Sequence, residues 1–477
     1  MTFDLSNPRL LVGPDWVDAP AGYDVVDPYT GGPIARCPLG DAAALDAAVA
    51  AAVGAFAAAR RQPPFERAAV LHRAAALIAA RRSQFADLIV AESGKPVTLA
   101  EGEVDRAVAT FTAAGDEARQ PNGQVLDVDA ARAGAGHFGL ARRFPLGVIY
   151  GITPFNFPIN LVAHKVAPAI ATGNCIVIKP APKTPLTALM LAGVLVEAGV
   201  LPGQVSVVTC PNELAGRLVE DERVAKVSFT GSPKVGWPVK QRAGKKRVTL
   251  ELGGNGAVIV HDDADVAAAV PMIAAGAFAY AGQSCISVQR VLVQENIYTR
   301  FREQFVAHVR AHVKAGDPRD RAVLVGPLVD RVAVARITAW VRDATSGGGR
   351  LLTGGTVDGQ VMQPTVLEGV DPRAELWANE AFAPVALLRP YATFDDALRL
   401  ANDSVFGLQA GVFTRDVGLA MRAFEELQVG GVMVNQVPTF RVETMPYGGV
   451  KDSGFGREGV RYAMEEMTEL RSLVVKL

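Results

Sequence analysis

Residues 226–254, KVSFTGSPKVGWPVKQRAGKKRVTLELGG, predict a strand, a helix and a second strand in direct succession. The first apolar run ends at Gly231 and Ser232, and a helical segment separates it from the β-branched run RVTLELGG. Strands that alternate with helices and are apolar on both faces are typical of a mostly parallel sheet covered on both sides. This stretch therefore predicts an α/β fold.

The same alternation extends in both directions along the chain. Before this stretch come GVIYGI (147–152), NCIVIKP (174–180) and QVSVVT (204–209), each followed by a helical pattern. A second set follows after Gly254, with GAVIV, RVLVQ, VALLRPY, AGVFT and GGVMVN, and it predicts a second α/β domain. The C-terminal segment EMTELRSLVVKL ends in an isolated strand, which must pair with another strand.

Residues 266–289 carry no charged side chain and are long enough to cross a bilayer. The run contains Pro271 and two glycines, ends in polar residues, and owes most of its apolar character to alanine. We therefore expect a buried helix that ends at Gly282, with the segment GQSC (282–285) as the loop beyond it.

The composition excludes several classes of protein. The chain has 477 residues, enough for two or three domains. Its 48 Lys and Arg against 49 Asp and Glu give no reason to expect nucleic acid or an anionic membrane as a partner. Cys37, Cys175, Cys210 and Cys285 form no CxxC pair, so neither a disulfide framework nor a metal site is indicated. The first residues show no secretory signal, and we expect a cytoplasmic protein.

A series of short motifs occurs in the order and spacing of one known family. They are TPFNFP (153–158), IKPAPKTP (178–185), FTGS (229–232), ELGGN (251–255), GQSC (282–285), NEAFAPV (379–385) and PYGGVKDSGFGREG (446–459). With these motifs the chain resembles the NAD(P)-dependent aldehyde dehydrogenase superfamily over nearly its whole length. The stretches VPTFRVETMPYGG and CISVQR are similar to the branch that handles lactaldehyde, glyceraldehyde-type and phosphonoacetaldehyde substrates.

The resemblance implies a Rossmann-type cofactor domain at residues 1–124 and 144–252 and an α/β catalytic domain at residues 253–435. It also implies a small β oligomerisation element at residues 125–143 and 458–477, whose strand joins a neighbouring subunit. We therefore expect a homodimer or a homotetramer.

Oxidation of an aldehyde requires a nucleophile whose tetrahedral adduct can expel hydride, and a thiolate of lowered pKa suits this task. Cys285 matches the family's nucleophile, while the other three cysteines are interpreted as buried structural residues. Asn156 and the backbone N–H of Cys285 match the donors that stabilise the oxyanion. Glu251 lies among apolar residues and matches the general base, whose pKa burial would raise.

The helix that begins after Gly231 and Ser232 offers free N–H groups, a natural seat for a pyrophosphate. Lys179 ends a strand at the edge where α/β sheets bind ligands. The resemblance implies NAD or NADP as the cofactor and adds Thr153, Phe155, Glu380 and Phe382 to its binding residues.

Many NAD-preferring relatives carry a glutamate three residues after the cofactor lysine, where this chain has Pro182. The charge that repels a 2′-phosphate is therefore absent from that position, and the choice between NAD and NADP stays open. Lys165 and Glu458 match positions associated with proton movement in relatives, and an ordinary salt bridge is the alternative for both.

The positions that line the aldehyde tunnel in relatives are more polar in this chain; they are Phe157, His164, Ala279 and Tyr447. Arg106 and Arg441 suit an anionic substrate end, which guanidinium groups bind by bidentate hydrogen bonds. The alternative for Arg106 is a set of surface pairs with the nearby Glu103 and Asp105. Relatives specific for a phosphorylated aldehyde often have arginine just before the catalytic cysteine. This chain has Ser284 at that position, which disfavours a phosphorylated substrate.

The predicted function is oxidation of a small polar or anionic aldehyde to its acid, through a Cys285 thioester and with hydride transfer to NAD(P). Relatives that pass the thioester to coenzyme A generally lack the base that Glu251 provides, so a free acid is expected. The alternative is a cysteine esterase or a non-catalytic binding protein on the same fold. The presence of Cys285, Glu251 and Asn156 together favours the dehydrogenase.

Overall fold

The computed structural model describes residues 3–120 and 122–477 of the chain. Up to Glu251 the strands and helices are β1 (Leu10–Val12), β2 (Asp15–Val17), β3 (Ala21–Val26), β4 (Pro33–Leu39), α1 (Ala42–Ala59), α2 (Pro64–Ala80), α3 (Arg82–Ser93), α4 (Val97–Ala118), β5 (Gly123–Leu126), β6 (His137–Pro145), β7 (Val148–Ile152), α5 (Asn160–Thr172), β8 (Cys175–Lys179), α6 (Leu186–Glu197), β9 (Val205–Val207), α7 (Asn212–Glu220), β10 (Val224–Thr230), α8 (Pro233–Arg242) and β11 (Arg247–Glu251).

The second half of the chain repeats this alternation. Its elements are β12 (Gly256–Val260), α9 (Val266–Phe278), β13 (Val288–Gln294), α10 (Glu295–His312), α11 (Arg331–Ser346), β14 (Arg350–Thr353), β15 (Val357–Asp358), β16 (Val361–Met362), β17 (Thr365–Glu368), α12 (Glu375–Ala378), β18 (Val385–Tyr391), α13 (Phe394–Asn402), β19 (Phe406–Gly407), β20 (Gln409–Phe413), α14 (Val417–Glu426), β21 (Gly431–Val434), β22 (Val450–Lys451), β23 (Gly454–Phe455), α15 (Val460–Glu466) and β24 (Thr468–Lys476).

The first large sheet has the strand order β2-β1-β9-β8-β7-β10-β11-β23. Its central strands β9, β8, β7, β10 and β11 are parallel, while β1 and β23 run antiparallel to their neighbours at the two sides. The five residues of β8 are all buried, as expected for a strand covered on both faces. Helix α5, buried along its whole length, packs against this sheet and ends at Gly173, whose φ of +79° suits a left-handed helix cap.

The second large sheet has the order β14-β17-β18-β13-β12-β20-β21, and all its strands except β14 are parallel to their neighbours. The two sheets together confirm the α/β fold predicted from the alternating pattern. Each sheet has its own hydrophobic core, and the chain passes from the first core to the second between Leu252 and Ala257. The domain boundaries drawn from the resemblance stay a prediction.

A three-stranded antiparallel sheet, β24-β6-β5, stands apart from the two large ones. The terminal strand β24 pairs with β6 from Thr468 opposite Pro145 to Lys476 opposite His137, so the isolated strand finds its partner within the same chain. This sheet begins at Gly123 in β5 and is therefore slightly wider than residues 125–143. Its role in joining subunits stays a prediction.

The uncharged run near Cys285 differs from the sequence expectation at its end. Helix α9 ends at Phe278 and not at Gly282, because Tyr280 and Ala281 have φ values of +54° and +55°, which no right-handed helix contains. Of the described residues, only those of α1 form a helix that is long and apolar enough to cross a membrane. One face of α1, which includes Leu45 and Val49, is buried in the first core.

Candidate active site

Four neighbouring strands of the first sheet end at the same edge and bring the predicted site residues together. Register pairs Ile152 with Lys179 between β7 and β8, and Thr230 with Glu251 between β10 and β11. Thr153, Asn156, Gly231 and Ser232 follow directly on these strands. Because ligands of α/β sheets bind outside the carboxyl ends of the strands, this edge is the expected site.

Cys285 reaches this edge on a left-handed turn that precedes β13. Tyr280, Ala281 and Gly282 all have positive φ, and the Tyr280 N–H donates to the Leu324 carbonyl at 3.0 Å. Such backbone persists in non-glycine residues only where its surroundings hold it in place. A Cβ at Gly254 would clash with the Cys285 carbonyl, so the absence of a side chain there admits the turn.

The side chain of Gln283 fixes the same turn to the segment of Pro327 and Val329. Its amide nitrogen donates to the Pro327 carbonyl at 3.1 Å, and its amide oxygen accepts the Val329 N–H at 2.9 Å. Asn156 Nδ2 donates to the Gln283 carbonyl at 3.0 Å and so joins its own loop to the cysteine loop. An amide nitrogen has two hydrogens, so one N–H of Asn156 stays available to an oxyanion, and the catalytic role of Asn156 stays a prediction.

The Cys285 thiol is half-buried, and its Sγ lies 3.1 Å from the hydroxyl oxygen of Tyr447. Burial raises the pKa of the Cys285 thiol above its ordinary value, and the Tyr447 hydrogen bond and the Arg441 charge act in the opposite direction. A lowered pKa of this thiol in the working enzyme stays a prediction.

Glu251 is buried, with 2% of its surface exposed, and neither carboxyl oxygen has a hydrogen-bond partner among the described residues. Burial, followed by the charge of Glu458, raises the pKa of Glu251 well above its ordinary value. A Cβ at Gly448 would lie 2.9 Å from Glu251 Oε1, so this glycine leaves room for the carboxyl group. A carboxyl of raised pKa is suited to take a proton from water near neutral pH.

Lys165 and Glu458 form a buried ion pair beside Glu251. Lys165 Nζ donates to Glu458 Oε1 at 2.9 Å, to Thr230 Oγ1 at 2.8 Å and to Ser228 Oγ at 3.0 Å. Both side chains are almost fully buried. The salt bridge that the sequence left as one of two alternatives is present, and a role in proton movement stays a prediction.

The residues assigned to the cofactor lie along the sheet edge. Lys179 Nζ donates to Asn212 Oδ1 at 2.8 Å, and the Thr153 N–H donates to the Lys179 carbonyl at 3.2 Å. Ser232 precedes α8 without a side-chain capping bond, and Gly231 leads into it. Pro233 has no N–H, and the Val235 N–H donates to the Ser232 carbonyl at 3.1 Å, so the Ser232 hydroxyl and the Lys234 N–H are the donors available to a phosphate. Together with Lys179, these donors fit a nicotinamide dinucleotide.

Glu380 and the two phenylalanines lie where the first half of the chain meets the second. The Gly254 N–H donates to Glu380 Oε1 at 2.9 Å, and a Cβ at Gly253 would stand 2.6 Å from Oε2. Burial raises the pKa of Glu380 to about 7. The rings of Phe155 and Phe382 pack edge to face with centroids 5.9 Å apart. The cofactor roles assigned to these three residues stay predictions.

A cluster of charges borders the thiol on the Tyr447 side. Arg106 Nε donates to Glu443 Oε1 at 2.8 Å, and the other oxygen of Glu443 lies against the His164 ring. The guanidinium carbon of Arg441 stands 3.6 Å from the centroid of the Tyr447 ring, and one of its nitrogens lies 3.3 Å from His164 Nε2. The structure thus brings Arg106, Arg441, His164 and Tyr447 together, as the sequence predicted for a substrate pocket.

The alternative of surface pairs for Arg106 is wrong. Asp105 accepts hydrogen bonds from Arg82, and Glu103 is paired with the buried Lys95. Both acids are thus paired with other cations, and the carboxylate partner of Arg106 is Glu443.

Burial and the nearby charge of Arg441 lower the pKa of His164. Burial opposes the charge of Glu443, but His164, Arg106 and Arg441 hold the pKa of Glu443 well below its ordinary range. Arg106, Arg441 and Lys165 therefore face the carboxylates of Glu443 and Glu458, and the carboxyl group of Glu251 lies beside them.

Sequence reasoning missed Glu443, Gln283 and Lys95 as parts of this site. The Lys95 ammonium lies 3.8 Å from the centroid of the Phe157 ring and 4.5 Å from that of Tyr280, and so bridges the loops of Asn156 and Cys285. Glu443 lies between Arg441 and Tyr447 in the stretch VPTFRVETMPYGG. An acid between two residues already assigned to the substrate pocket was the signal that could have placed Glu443 there. For Lys95 no local signal exists.

Comparison with known proteins agrees with this geometry. The aldehyde dehydrogenase family model matches residues 16–473. The 3-sulfolactaldehyde dehydrogenase of Priestia aryabhattai is 40% identical over 469 residues, which cover 98% of each chain. Aldehyde dehydrogenase 21 from Physcomitrella patens, solved with its reaction product succinate, superposes with a TM-score of 0.97 at 40% identity and 99% coverage of both chains.

A third match is the glyceraldehyde-3-phosphate dehydrogenase GapN of Methanocaldococcus jannaschii, solved with NADP. It superposes with a TM-score of 0.91 at 37% identity, over 95% of this chain and 99% of that one. A match of this extent by sequence and by structure goes well beyond a shared fold. The chain therefore belongs to the aldehyde dehydrogenase family.

Proposed function

We propose that this aldehyde dehydrogenase oxidises a short aldehyde that carries a carboxylate or sulfonate at its far end. The observation that carries the proposal is the Arg106 side chain, whose second terminal nitrogen is buried without a hydrogen-bond partner among the described residues. A buried, unpartnered guanidinium nitrogen is costly unless a ligand binds it. An anion held by Arg106 and Arg441 satisfies this nitrogen by a charge-assisted hydrogen bond.

The three relatives described above support an anionic substrate, whereas lactaldehyde dehydrogenases that are 36–37% identical to this chain carry a neutral aldehyde in their name. A sulfonate stands in the name of the Priestia enzyme, a dicarboxylate is the product bound to the moss enzyme, and a phosphate ester gives the archaeal enzyme its name. Ser284 occupies the position before the cysteine where phosphate-specific relatives often have arginine, so we favour carboxylate or sulfonate over phosphate.

In the proposed reaction the thiolate of Cys285 attacks the carbonyl carbon, and the π electrons of the C=O bond move to oxygen. The Asn156 amide and the Cys285 N–H donate to this oxyanion. A nicotinamide cofactor held by Lys179, Ser232 and Glu380 supplies a hydride acceptor when bound. Loss of hydride re-forms the carbonyl and leaves an acyl thioester on sulfur.

Hydrolysis of the thioester completes the cycle. Glu251, as carboxylate, takes a proton from water while the water oxygen attacks the acyl carbon. The C–S bond then breaks with its electron pair on sulfur, the acid leaves, and Cys285 is regenerated. The buried position of Glu251 between Gly448 and the Lys165–Glu458 pair supports this assignment.

The test is a set of matched aldehydes assayed by reduced-nicotinamide absorbance with NAD and with NADP. 3-Sulfolactaldehyde is compared with lactaldehyde, which lacks the sulfonate, and succinate semialdehyde with butanal, which lacks the carboxylate. We expect kcat/KM for each anionic member to exceed that of its neutral partner by about 100-fold. Equal values within each pair would exclude an anion site, and ester hydrolysis without any oxidation would exclude the dehydrogenase.

A further inference from the structure

The thiol of Cys285 has one hydrogen-bond partner among the described residues, the hydroxyl of Tyr447, at an Sγ–Oη distance of 3.1 Å. Tyr447 is 4% exposed, and its ring packs with Ile286 and Leu408 in a small apolar cluster that also contacts Cys285. The position of its hydroxyl is therefore fixed by packing on the ring.

We propose that Tyr447 is a catalytic residue whose hydroxyl donates a hydrogen bond to the Cys285 thiolate and so holds the nucleophile ready for attack. This role goes beyond lining the substrate pocket. It rests on the proposed function of Cys285 as the nucleophile.

The chemistry of the two groups fixes the direction of the bond. A thiol can donate to the tyrosine oxygen, but a thiolate can only accept, so the tyrosine O–H turns toward sulfur once the thiol proton is lost to water. A hydrogen bond to an ionised acceptor is about twice as strong as one between neutral groups. Tyr447 therefore stabilises the charged form of Cys285 more than the neutral form.

The surroundings keep Tyr447 as a donor. Burial and the neighbouring Cys285 raise the pKa of Tyr447 well above its ordinary value, so the hydroxyl retains its proton when the thiolate forms. The Arg441 guanidinium, 3.6 Å from the ring centroid, holds the ring by a cation–π contact and polarises the O–H. The hydroxyl thus aids the reaction without transferring a proton.

Two acids near Cys285 disfavour its thiolate, so the hydrogen bond from Tyr447 is needed to offset them. Glu380 and Glu251 disfavour the thiolate, and burial disfavours it more strongly, whereas Tyr447 and Arg441 are the nearby groups that favour it. The same bond forms again when the thioester breaks, because the electron pair of the C–S bond returns to sulfur as a thiolate.

The test measures the rate of Cys285 alkylation by iodoacetamide as a function of pH, with the modified residue located by mass spectrometry. Tyr447→Phe keeps the ring under Arg441 and removes only the hydroxyl. We expect the apparent pKa of the thiol to rise, so that alkylation at neutral pH slows about tenfold while the limiting rate of the fully formed thiolate is unchanged. Tyr391→Phe, which removes a hydroxyl bound to His261 far along the sheet, should leave the profile unchanged.

An unchanged or lowered apparent pKa in Tyr447→Phe would overturn the proposal, and so would a slowing that persists above the pH at which the wild-type rate levels off, because such a slowing reports access to the thiol. Tyr447→Met, which also lacks a donor, gives a second measurement with the same expected rise in pKa. Because alkylation requires neither aldehyde nor cofactor, this test can fail while the substrate assays succeed, and the reverse.

Discussion

Arg106 and Glu443 are 337 positions apart in the chain, yet Arg106 Nε donates to Glu443 Oε1 at 2.8 Å. The bond ties α4, at the start of the fold, to the segment that leads into Tyr447. Glu443 also lies against His164, so one carboxylate orients an arginine and a histidine of the proposed substrate pocket. The second terminal nitrogen of Arg106 is left for a ligand.

Replacement of Arg106 by methionine should lower kcat/KM for an anionic aldehyde by about 100-fold and for its neutral partner by about threefold or less, because only the anionic end loses its contact. Arg82→Met is the matched control. It removes an exposed arginine of α3 that pairs with Asp105, and it should change neither value of kcat/KM. Steady-state kinetics with succinate semialdehyde and butanal decide between the outcomes. An equal loss on both aldehydes would mean that Arg106 only maintains the pocket.

Cys285→Ala should reduce oxidation to below about one thousandth of the wild-type rate, since no covalent adduct can form. Cofactor binding, followed by titration calorimetry, should be retained because the thiol contributes no contact to Lys179 or Ser232. Cys37→Ala is the control for loss of a buried thiol, as Cys37 packs in the first core. Residual turnover within about tenfold of wild type would contradict a nucleophilic cysteine.

Glu251→Gln should slow thioester hydrolysis more than hydride transfer, because the amide cannot take the proton of the attacking water. Rapid-quench measurements should then show a burst of reduced cofactor followed by a very slow steady state. A burst slowed as much as the steady state would place Glu251 before or within the hydride step.

The local pattern was enough to predict the fold and the position of the main site residues. Apolar β-branched runs separated by helical segments predict parallel strands, and the carboxyl ends of such strands meet at one edge. Asn156, Lys179, Ser232 and Glu251 all follow or end strands of this kind, which is why the structure brings them together.

Contacts between distant segments have no such signal. Lys95 is buried against Phe157 and Tyr280, and each of the three segments is locally ordinary. The positive φ of Tyr280 is likewise held by tertiary contacts, and a non-glycine sequence predicts a continuing helix there. The raised pKa of Cys285 depends on the depth of the finished pocket, which a motif cannot report.

The Glu443 carboxylate should make the folded state sensitive to acid. Its pKa lies well below the ordinary value when folded, so its contribution to stability is complete above its unfolded pKa of about 4.3 and is lost as the pH falls further. Glu443→Gln should therefore lower the free energy of unfolding by about 2 kcal/mol at pH 7 and by less as the pH falls below about 4.

Urea unfolding of both proteins at several pH values measures this difference. Glu220→Gln, which removes an exposed carboxylate paired with Arg242, is the control and should change stability little at any pH. A Glu443→Gln deficit that does not shrink in acid would mean that the carboxylate is not ionised in the folded protein.

The cofactor prediction concerns Pro182, which is exposed three residues after Lys179. A glutamate there would accept a hydrogen bond from the ribose 2′-hydroxyl and repel a 2′-phosphate. Both nearby lysines already have partners, because Lys183 lies 3.4 Å from Asp330 and Lys179 donates a hydrogen bond to Asn212. Neither lysine is therefore free to offset an added negative charge. Pro182→Glu should therefore lower kcat/KM with NADP about tenfold or more relative to NAD.

Pro182→Gln separates charge from shape in this prediction. The amide has the size of the glutamate and also removes the proline ring, but it carries no charge and should leave the NADP/NAD ratio of kcat/KM within about threefold of wild type. Saturation curves for both cofactors at a fixed aldehyde concentration provide the ratio for all three proteins. If the Glu and Gln variants shift it equally, the effect comes from the loop backbone that proline restrains. If neither shifts it, residue 182 does not face the ribose, and discrimination lies with other groups near Lys179.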